Sequence, residues 1–413
     1  MTTVRADRWP GVATAPHAPA RAWLAERLFR LAVARLPVTV RLPGGETIGR
    51  GGPLLRVARP AFFHRLGTRS TVGFGEAYLA GDWTSPDLAA ALTPFAARLA
   101  TLVPRPLQVL RQLVDARRPA GERNTPAGAR ANVHRHYDLS NDLFAAFLDE
   151  SMTYSAAWFG PDPGDADLHA AQLRKIDGVL DLAGVGPGGR VLEIGTGWGS
   201  LAIRAARRGA TVTTLTISAE QHDLAVERIA AAGVADRVEV RLADYREAAG
   251  SYDAVVSVEM IEAVGEEYWP VYFATLRRLL APGGRVGLQA ITMPHDRMVA
   301  TRHSQTWITE YVFPGGQLLS VPAVEGQARD AGLAITARRR LGEHYARTLR
   351  LWRARFASAA DRVSELGFDE TFRRLWELYL AYCEAGFRAG YLDVWQFGLQ
   401  PGEPGDRPPR LAG

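Results

Sequence analysis

The feature that most constrains the fold is the run Val191–Ser200, with the sequence Val-Leu-Glu-Ile-Gly-Thr-Gly-Trp-Gly-Ser. An apolar, β-branched strand is followed here by three alternating glycines, Gly195, Gly197 and Gly199, at the start of a helix. Because glycine lacks a Cβ atom, the backbone can turn tightly and approach a ligand closely, with free N–H groups of the helix directed at it. Glu193 supplies a carboxylate at the edge of the same pocket. The run therefore predicts a strand, a turn and a helix that hold a nucleotide-like cofactor.

The glycine spacing distinguishes between two classes of cofactor. A dinucleotide site has its third glycine three residues after the second and places a pyrophosphate over the helix N-terminus. In this chain the third glycine, Gly199, lies only two residues after the second, Gly197. The carboxylate of Glu193 suits the cationic amino group and sulfonium of S-adenosylmethionine, so we predict that cofactor, with Thr196 and Trp198 also in the turn. A glycine turn taken alone would also fit an ordinary loop between a strand and a helix.

Further strands are predicted downstream of this turn. They are Ala210–Ile217, Arg237–Leu242, Tyr252–Val258 and Gly284–Ile291. The first is followed by Ser218, beyond which Glu220 or Gln221 can reach a ribose diol. The second ends near Asp244, which can accept the adenine amino group, and Tyr245, which packs nearby. Strands that alternate with helices predict an α/β fold with a parallel, doubly wound sheet, whose ligand lies beyond the carboxyl ends of the strands.

Composition excludes several classes of protein. The chain has 413 residues, 47% of them hydrophobic, and a formal net charge of +5; this length allows one large or two ordinary domains. Zinc-ligand spacing, a disulfide framework and nucleic-acid modules are absent, so we predict no metal site and no nucleic-acid partner. The single cysteine, Cys383, fits a reducing cytoplasm. No apolar run reaches the roughly 18 residues of a spanning helix, so the protein is predicted to be soluble or peripheral.

We divide the chain into an N-terminal α+β domain over residues 1–115, a linker over 116–133 and a catalytic domain over 134–413. In the first domain a strand at Val38–Leu42 precedes a Pro-Gly-Gly hairpin turn. The linker is polar and rich in turn-forming residues. Residues 21–36 alternate arginines with large apolar side chains, which fits a helix at a membrane surface. A helix docked on its own domain fits the same pattern.

Short motifs dispersed along the chain indicate a particular family. They are Gly73–Tyr78, Gly81–Trp83, His136–Phe144, Met152–Ser155, the glycine turn, Thr216–Gln221, Ile261–Gly265, Tyr311–Gly316 and Tyr345–Trp352. In this set and order the chain resembles the cyclopropane-fatty-acyl-phospholipid synthase family, which includes the mycolic-acid cyclopropane synthases. The resemblance covers nearly the whole chain. It implies a class I (Rossmann-like) methyltransferase fold, with a smaller N-terminal domain associated with lipid or membrane.

The resemblance implies methyl transfer from S-adenosylmethionine to a cis double bond in the acyl chain of an unsaturated phospholipid. The cofactor site would be lined by Tyr154, Ser155, the glycine turn, Thr216–Gln221, and Asp244 with Tyr245. Such an enzyme would act in the cytoplasm as a peripheral protein at the inner membrane surface. A homodimer, and a reductase partner for a methylene-branched product, are open alternatives.

An isolated alkene is a poor nucleophile, so the enzyme must align it with the sulfonium methyl group and exclude water. Methylation leaves a carbocation, which must then lose a proton. The resemblance implies that a bound bicarbonate accepts this proton. Glu262 would hold and orient the bicarbonate, Tyr345 would donate a hydrogen bond to it, and the Ile291 backbone would add a contact. Tyr137 and Trp307 would face the cation with their rings.

Two positions depart from the family pattern. Where relatives often have a cysteine, this chain has Ala156, whose backbone N–H can still contact an anion. Where many have a bicarbonate-binding histidine, it has Gln289, which can hydrogen-bond an anion but carries no positive charge. Cys383 matches a family cysteine that was once viewed as catalytic. The alternative interpretation is that Cys383 is a small, buried, apolar side chain without a catalytic role.

These departures leave the product open. If the proton leaves the incoming methyl group, the ring closes to a cyclopropane, whereas loss from the chain gives a methyl- or methylene-branched acyl product. The sequence of the segment Leu288–Arg297 is similar to the corresponding sequence of actinobacterial relatives, which make methylene-branched precursors of tuberculostearic acid. A small-molecule methyltransferase and a non-catalytic lipid- or cofactor-binding protein are the remaining alternatives.

Overall fold

The computed structural model describes residues 4–99, 124–125, 128–129, 140–160 and 167–402. These residues form two compact units. The first unit comprises the described residues of Met1–Pro119, Ala300–Pro314 and Leu349–Tyr391, and the second those of Ala120–Val299, Gly315–Thr348 and Leu392–Gly413.

Strands and α-helices alternate through most of the described chain. The strands are β1 (Thr39–Arg41), β2 (Thr47–Gly49), β3 (Leu54–Val57), β4 (Trp83–Thr84), β5 (Arg190–Ile194), β6 (Thr211–Thr216), β7 (Val238–Leu242), β8 (Tyr252–Val258), β9 (Leu280–Thr292), β10 (Leu333–Arg340) and β11 (Asp393–Pro401). The α-helices are α1 (Pro10–Ala13), α2 (Pro19–Val33), α3 (Ala61–Leu79), α4 (Leu88–Ala97), α5 (Asn141–Ala145), α6 (Leu168–Leu182), α7 (Ser200–Arg207), α8 (Ala219–Ala231), α9 (Trp269–Leu279), α10 (His295–Thr301), α11 (Trp307–Tyr311), α12 (Val321–Asp330), α13 (Gly342–Ser358), α14 (Ala360–Glu365) and α15 (Glu370–Arg388). Short 3₁₀ turns lie at Tyr245–Glu247, Ile261–Ala263 and Glu266–Tyr268. Among the described residues, no helix combines the length and the apolar composition needed to cross a bilayer.

Strands β5 to β11 form the seven-stranded sheet of the second unit, in the order β10-β11-β9-β8-β5-β6-β7. The five strands from β5 to β9 pair in parallel, as the sequence predicts. β11 and β10, which the sequence analysis does not predict, extend one edge by antiparallel pairing. The chain runs outward from β5 to β7 and then returns to β8 on the other side of β5. A crevice therefore opens between the carboxyl ends of β5 and β8.

Strand β9 is longer than the sequence predicts. It begins at Leu280 rather than at Gly284. Tyr252 of β8 pairs with Leu280, and Ala254 pairs with Arg285, so the intervening Pro-Gly-Gly segment is held as an irregularity within the strand. The sequence analysis places the start of the strand at Gly284 because proline and glycine usually form turns. In the structure, pairing with β8 already begins at Leu280, before these residues.

Helices cover both faces of this sheet, because successive side chains of each strand point to opposite faces. On one face, α9 and α12 pack against a cluster that includes Leu192 and Val255. On the other face, α6, α7 and α8 pack against a cluster that includes Val191 and Val256. The two clusters give the second unit its apolar core and confirm the predicted α/β, doubly wound architecture.

The first unit contains a four-stranded sheet with the order β2-β1-β3-β4. Strands β1 and β2 pair antiparallel on either side of the predicted Pro-Gly-Gly hairpin turn, which confirms that prediction. Helix α2 buries Phe29 and Val33, and the Phe29 ring contacts α3. Trp23, Leu24 and Leu31 on the same helix are exposed. Helix α2 is thus docked on its own unit by one side while it presents large apolar side chains on another.

The two units divide the chain differently from the predicted domains at 1–115, 116–133 and 134–413. Ala300–Pro314 and Leu349–Tyr391 belong to the first unit although both lie within the predicted catalytic domain. A division by position along the chain cannot anticipate this, because an amphipathic helix such as α15 packs against partners that are distant in sequence. The linker lies largely outside the described residues, and its bounds stay a prediction.

We expect Phe273→Ala to lower the free energy of unfolding of the second unit by about 3–5 kcal/mol, because the ring lies fully buried on α9 and its removal leaves a cavity. Val271→Ala on the same helix, at a 43% exposed position, should change it by no more than about 0.5 kcal/mol. Urea titration followed by circular dichroism measures both. Equal losses for the two variants would show that α9 does not bury this face.

Candidate active site

A cavity of about 190 Å³ lies in the second unit. Most of its lining residues come from the carboxyl ends of the parallel strands β5, β6, β7 and β8 and from the segments that follow them. The carboxyl ends of parallel strands meet at one edge of the sheet, so these segments converge although they are far apart in the chain. The cavity therefore lies at the edge where the sequence analysis places the cofactor.

Most residues predicted to bind the cofactor line this cavity. They are Tyr154, Ser155, Glu193, Gly195, Thr196, Gly197, Trp198, Thr216, Gln221, Asp244 and Tyr245. Gly199 and Ser218 are not among its lining residues. Gly199, with a φ of 87°, is the N-cap of α7, and the Ser218 hydroxyl caps α8 by accepting the Gln221 N–H at 3.2 Å. These two residues shape the helix starts that border the cavity.

The glycine turn has the conformation that the sequence predicts. Gly195, Gly197 and Gly199 all have positive φ, at 96°, 52° and 87°. A Cβ atom added at Gly197 would meet no other heavy atom within 4 Å. Because Gly197 also lines the cavity, the space beside its backbone is open to a ligand. This is the close backbone approach for which glycine is suited.

Glu193 lies buried at the end of β5, and its Oε2 accepts a hydrogen bond from the Thr214 hydroxyl at 2.6 Å. Burial raises the pKa of Glu193 to about 8, although Thr214 and Lys175 act in the opposite direction. At neutral pH the carboxyl group is therefore largely protonated. A cation bound beside it would favour the ionised form and would release the proton.

Lys175 is the only lysine of the chain, and it is buried beside the same cavity. Its Nζ donates a hydrogen bond to the Ser155 hydroxyl at 2.6 Å. Burial lowers the pKa of Lys175 to about 8, against the attraction of Glu259, Asp149 and Glu193. As the pH rises through this range, the cavity loses a positive charge that would repel a cationic ligand.

The residues predicted to contact ribose and adenine form two paired sets. Gln221 Oε1 accepts a hydrogen bond from the Thr216 hydroxyl at 3.0 Å. Asp244 binds the Arg246 guanidinium through both carboxylate oxygens, at 2.8 and 2.6 Å, and Arg246 also lies over the Tyr245 ring. Each carboxylate oxygen can accept more than one hydrogen bond, so this pairing leaves Asp244 able to accept an amino group.

A buried residue from the predicted linker also lines the cavity. Asn124 donates a hydrogen bond from its side chain to the Gly315 carbonyl at 3.0 Å, and its own carbonyl accepts one from Arg246 at 3.1 Å. The segment predicted as a linker therefore contributes to the site. Its polar composition suggested exposure, whereas tertiary contacts bury this residue.

Among the residues predicted to be catalytic, Glu262 and Ile291 are in contact. Glu262 lies in the 3₁₀ turn Ile261–Ala263 that follows β8, and its Oε1 accepts the Ile291 N–H at 2.5 Å. Its Oε2 is buried and has no hydrogen-bond partner. Burial, and then the charge of Glu259, raise the pKa of Glu262 to about 8. At neutral pH this carboxyl group is therefore largely protonated.

Three other residues predicted to be catalytic converge on a residue that the sequence analysis does not single out. Glu259 accepts three hydrogen bonds: from the Ala156 N–H at 3.0 Å, from Gln289 Nε2 at 2.7 Å and from the Tyr345 hydroxyl at 2.8 Å. Glu259 also lines the cavity. Burial raises the pKa of Glu259, and these three donors and Lys175 oppose the increase.

A chain of hydrogen bonds fixes the orientation of the Gln289 side chain. Arg339 donates to Gln396 Oε1 at 2.9 Å, and Gln396 Nε2 donates to Gln289 Oε1 at 3.0 Å. Arginine can only donate, so the direction of each following bond is determined. The Gln289 amide group must then present its N–H to Glu259.

Cys383 differs from this group. It lies on α15 in the first unit, whereas the other predicted catalytic residues lie in the second. Burial raises the pKa of its thiol to about 12, so at neutral pH it is a protonated, small apolar side chain. The predicted catalytic role of Cys383 therefore gains no support from its chemistry. Trp307 is buried in the first unit, and Tyr137 lies outside the described residues.

Within the described ranges, Asp149, Glu150 and His169 have ligand atoms close enough to share a metal ion. Asp149 Oδ2 accepts the Ser151 N–H at 2.9 Å and lies 2.9 Å from His169 Nδ1. Glu150 is exposed. These hydrogen bonds account for the grouping, and we assign no metal to it.

Comparison with known proteins identifies the family. Residues 125–397 match the family model described as mycolic acid cyclopropane synthetase. The chain is 52% identical to tuberculostearic acid methyltransferase UfaA1 of Mycobacterium tuberculosis, over 96% of each chain. It is 34% identical to the cyclopropane-fatty-acyl-phospholipid synthase of Escherichia coli, over 83% of this chain and 86% of that protein. The chain belongs to the mycolic acid cyclopropane synthetase family.

A solved structure supports the same assignment for this family member. The crystal structure of mycolic acid cyclopropane synthase CmaA1 complexed with SAH and CTAB has a TM-score of 0.61 and 34% sequence identity, and the match covers 66% of this chain and 98% of that one. The predicted family, the class I methyltransferase fold and the enzyme class, an S-adenosylmethionine-dependent methyltransferase, are thereby confirmed.

Sequence analysis of this mycolic acid cyclopropane synthetase family member missed Glu259, Gln396 and the buried position of Lys175. Glu259 directly follows β8, which neighbours β5, so an acidic residue at the carboxyl end of a predicted parallel strand was a signal that could have found it. Gln396 and Lys175 have no such local signal, because each acts through a contact made only in the folded chain.

We expect the affinity for S-adenosylmethionine to rise with pH between about 6.5 and 8.5, by up to about tenfold per pH unit for one linked proton. Below about pH 8 the raised pKa keeps Glu193 protonated, and Lys175 is still charged even with its lowered pKa, so both states disfavour a cation. Calorimetric titration measures the dependence. Glu193→Gln should weaken binding at pH 8.5 and flatten the profile, whereas Glu227→Gln at an exposed position should not. Tighter binding at lower pH would contradict this assignment.

Proposed function

We propose that this chain transfers the methyl group of S-adenosylmethionine to a carbon–carbon double bond in an acyl chain of an unsaturated phospholipid. The observation that carries this proposal is the pair of buried carboxyl groups that follow β8: Glu259, which lines the cofactor cavity, and Glu262, which interacts with it electrostatically. An alkene methylated by a sulfonium becomes a carbocation, which needs a nearby anion and an acceptor for its proton. The named activities of the two relatives, tuberculostearic acid methyltransferase and cyclopropane-fatty-acyl-phospholipid synthase, support an acyl substrate.

The residues of the cavity would each perform a limited task. The bound cofactor supplies an electrophilic methyl group. Glu193 and the glycine turn would hold and orient it, and the paired Asp244 and Arg246 would border its base. The aromatic contact between the half-buried Tyr154 and the buried Phe144, with ring centroids 5.1 Å apart, would help to exclude water.

For the product, we propose a methylene-branched acyl chain. After the methyl group adds to one carbon, the positive charge lies on its neighbour. A hydride shift moves the charge to the methyl-bearing carbon, and when the methyl group then loses a proton, the electron pair of that C–H bond forms the double bond of a methylene (C=CH2) branch. The 52% identity to a tuberculostearic acid methyltransferase over nearly the whole chain supports this product. A reductase partner would complete a saturated methyl branch.

A cyclopropane is the second candidate product, supported by the family and by the 34% identity to the Escherichia coli synthase. It requires loss of the methyl proton without a hydride shift, so that the electron pair closes the ring. The cytoplasmic location and the homodimer stay predictions.

We expect label from methyl-labelled S-adenosylmethionine to enter the acyl chains of oleoyl phospholipid vesicles and to give vinylidene protons in the proton NMR spectrum. Vesicles of stearoyl phospholipid, which has no double bond, are the matched control and should stay unlabelled. Upfield ring protons would instead establish the cyclopropane. Cofactor binding without label in any lipid would contradict the proposed activity and favour a binding protein without turnover.

Membrane association would bring the enzyme to its substrate, and helix α2 has the composition for it. Trp23, Leu24 and Leu31 are exposed, and Arg27 lies over the Trp23 ring at 4.5 Å. Residues three, four and seven positions apart share a helix face, so these side chains form an apolar stripe with a basic residue within it. Such a surface binds at the headgroup boundary of an anionic bilayer.

We expect Leu31→Ser to weaken binding to anionic phospholipid vesicles about tenfold, because burial of a leucine side chain contributes about 1.5–3 kcal/mol. Leu242→Ser is the matched control, since Leu242 is 56% exposed and Leu31 is 66% exposed. Cosedimentation with vesicles measures both. Equal effects of the two substitutions would place the membrane contact elsewhere.

A further inference from the structure

Glu259 has a backbone conformation that calls for an explanation. Its φ of 49° lies in the left-handed region, which a residue with a long side chain rarely adopts. Strained residues persist where their surroundings fix them, and they cluster at active sites. At Glu259 the constraint is visible, because its N–H donates to the Gln289 carbonyl at 2.9 Å and its carboxylate accepts three further hydrogen bonds.

These three hydrogen bonds bear on the bicarbonate that the family resemblance implies. The Ala156 N–H, the Gln289 amide and the Tyr345 hydroxyl are three of the groups expected to contact the ion, together with Glu262 and the Ile291 backbone. All three donate to the Glu259 carboxylate instead. A carboxylate and a bicarbonate ion present similar acceptor oxygens to hydrogen-bond donors. The Glu259 carboxylate can therefore take the place of the ion on these three donors. The residues present therefore do not fit a separate bound bicarbonate.

The surrounding network requires an acceptor at this point. Arg339 and Gln396 together force the Gln289 amide to present its N–H toward Glu259. The Ala156 backbone N–H can act only as a donor. Two donors of fixed direction thus converge on one group, and a carboxylate that belongs to the chain satisfies both of them permanently.

The two neighbouring carboxyl groups have different environments, which separates their roles. Glu259 accepts three hydrogen bonds, and hydrogen bonds to the charged form favour ionisation. Glu262 accepts one from the Ile291 N–H, and its Oε2 has no partner. Two nearby carboxylates do not both ionise readily, so the member that accepts more hydrogen bonds keeps the charge. Glu259 is that member.

We propose that the Glu259 carboxylate is the general base of this enzyme and takes the place of bicarbonate. The inference rests on the proposed function. In the step, a C–H bond of the transferred methyl group breaks and its electron pair forms a new carbon–carbon bond, which neutralises the cation. The proton passes to a carboxylate oxygen of Glu259, which becomes a neutral carboxylic acid. Ala156, Gln289 and Tyr345 are positioning residues that act through Glu259.

The test compares the wild type with Glu259→Gln in buffer stripped of carbon dioxide, with and without added bicarbonate. The wild-type rate of lipid methylation should change less than twofold on stripping. Glu259→Gln should lose about 10²–10⁴-fold in kcat, the usual contribution of a general base, while it still binds S-adenosylmethionine. Glu267→Gln, the same substitution at an exposed position, should keep the wild-type rate.

Glu259→Gly provides a rescue experiment. It removes the carboxylate and suits the positive φ, and it leaves the three donors free for an external anion. This variant should be inactive in stripped buffer and should regain at least tenfold in rate with bicarbonate or formate. In carbon-13 NMR, labelled bicarbonate should bind to Glu259→Gly and not to the wild type.

Positioning by Tyr345 has its own readout. Its hydrogen bond stabilises the Glu259 carboxylate, so Tyr345→Phe should raise the pKa of Glu259 and shift the acidic limb of the pH–rate profile to higher pH. A merely structural role would lower the rate without this shift.

Several outcomes would overturn the assignment. They are a wild-type rate that falls tenfold without bicarbonate, a wild-type rate in Glu259→Gln, loss of activity in Glu262→Gln alone, or binding of labelled bicarbonate to the wild type. If the wild type did not label lipid, the proposed function itself would be contradicted. The bicarbonate-binding measurement needs no turnover, so it decides in that case whether Glu259 holds the position of the ion.

Discussion

The adjacency of β5 and β8 is the constraint on which the site depends. The chain passes from β5 to β7 along one side of the sheet and then crosses back to β8 on the other side. Because both strands are parallel, the residues that follow them emerge at the same edge. Glu193 at the end of β5 and Glu259 beyond β8 therefore line one cavity. Without this crossing, the cofactor turn and the proposed base would belong to different parts of the molecule.

Burial of charge at this edge produces a cavity that suits a cation. Asp244 is paired with Arg246, whereas Glu193, Glu259 and Asp149 are attracted electrostatically by the buried ammonium group of Lys175. Desolvation raises the pKa of both acids and lowers the pKa of the lysine. A sulfonium cofactor, and the carbocation that follows it, would supply the missing positive charge and stabilise the ionised acids.

Glu259 also accounts for two departures from the family pattern that the sequence analysis treats separately. Considered alone, Ala156 lacks a side-chain contact and Gln289 lacks the charge of a histidine. In the folded chain both donate to the Glu259 carboxylate, which needs hydrogen-bond donors rather than a neighbouring cation. The fixed direction of the Gln289 amide shows why glutamine serves at this position: its oxygen faces Gln396 and its nitrogen faces Glu259.

The sequence by itself determined the fold class, the cofactor class and most residues that line the cavity, because the strand-to-glycine turn and the polar strand ends are local patterns. It did not determine the start of β9, the presence of β10 and β11 or the burial of Asn124. Only the tertiary structure decided the surroundings of Glu259. Ala156, Gln289 and Tyr345 lie 103, 30 and 86 residues away along the chain, and their donors meet the carboxylate only when the sheet has assembled.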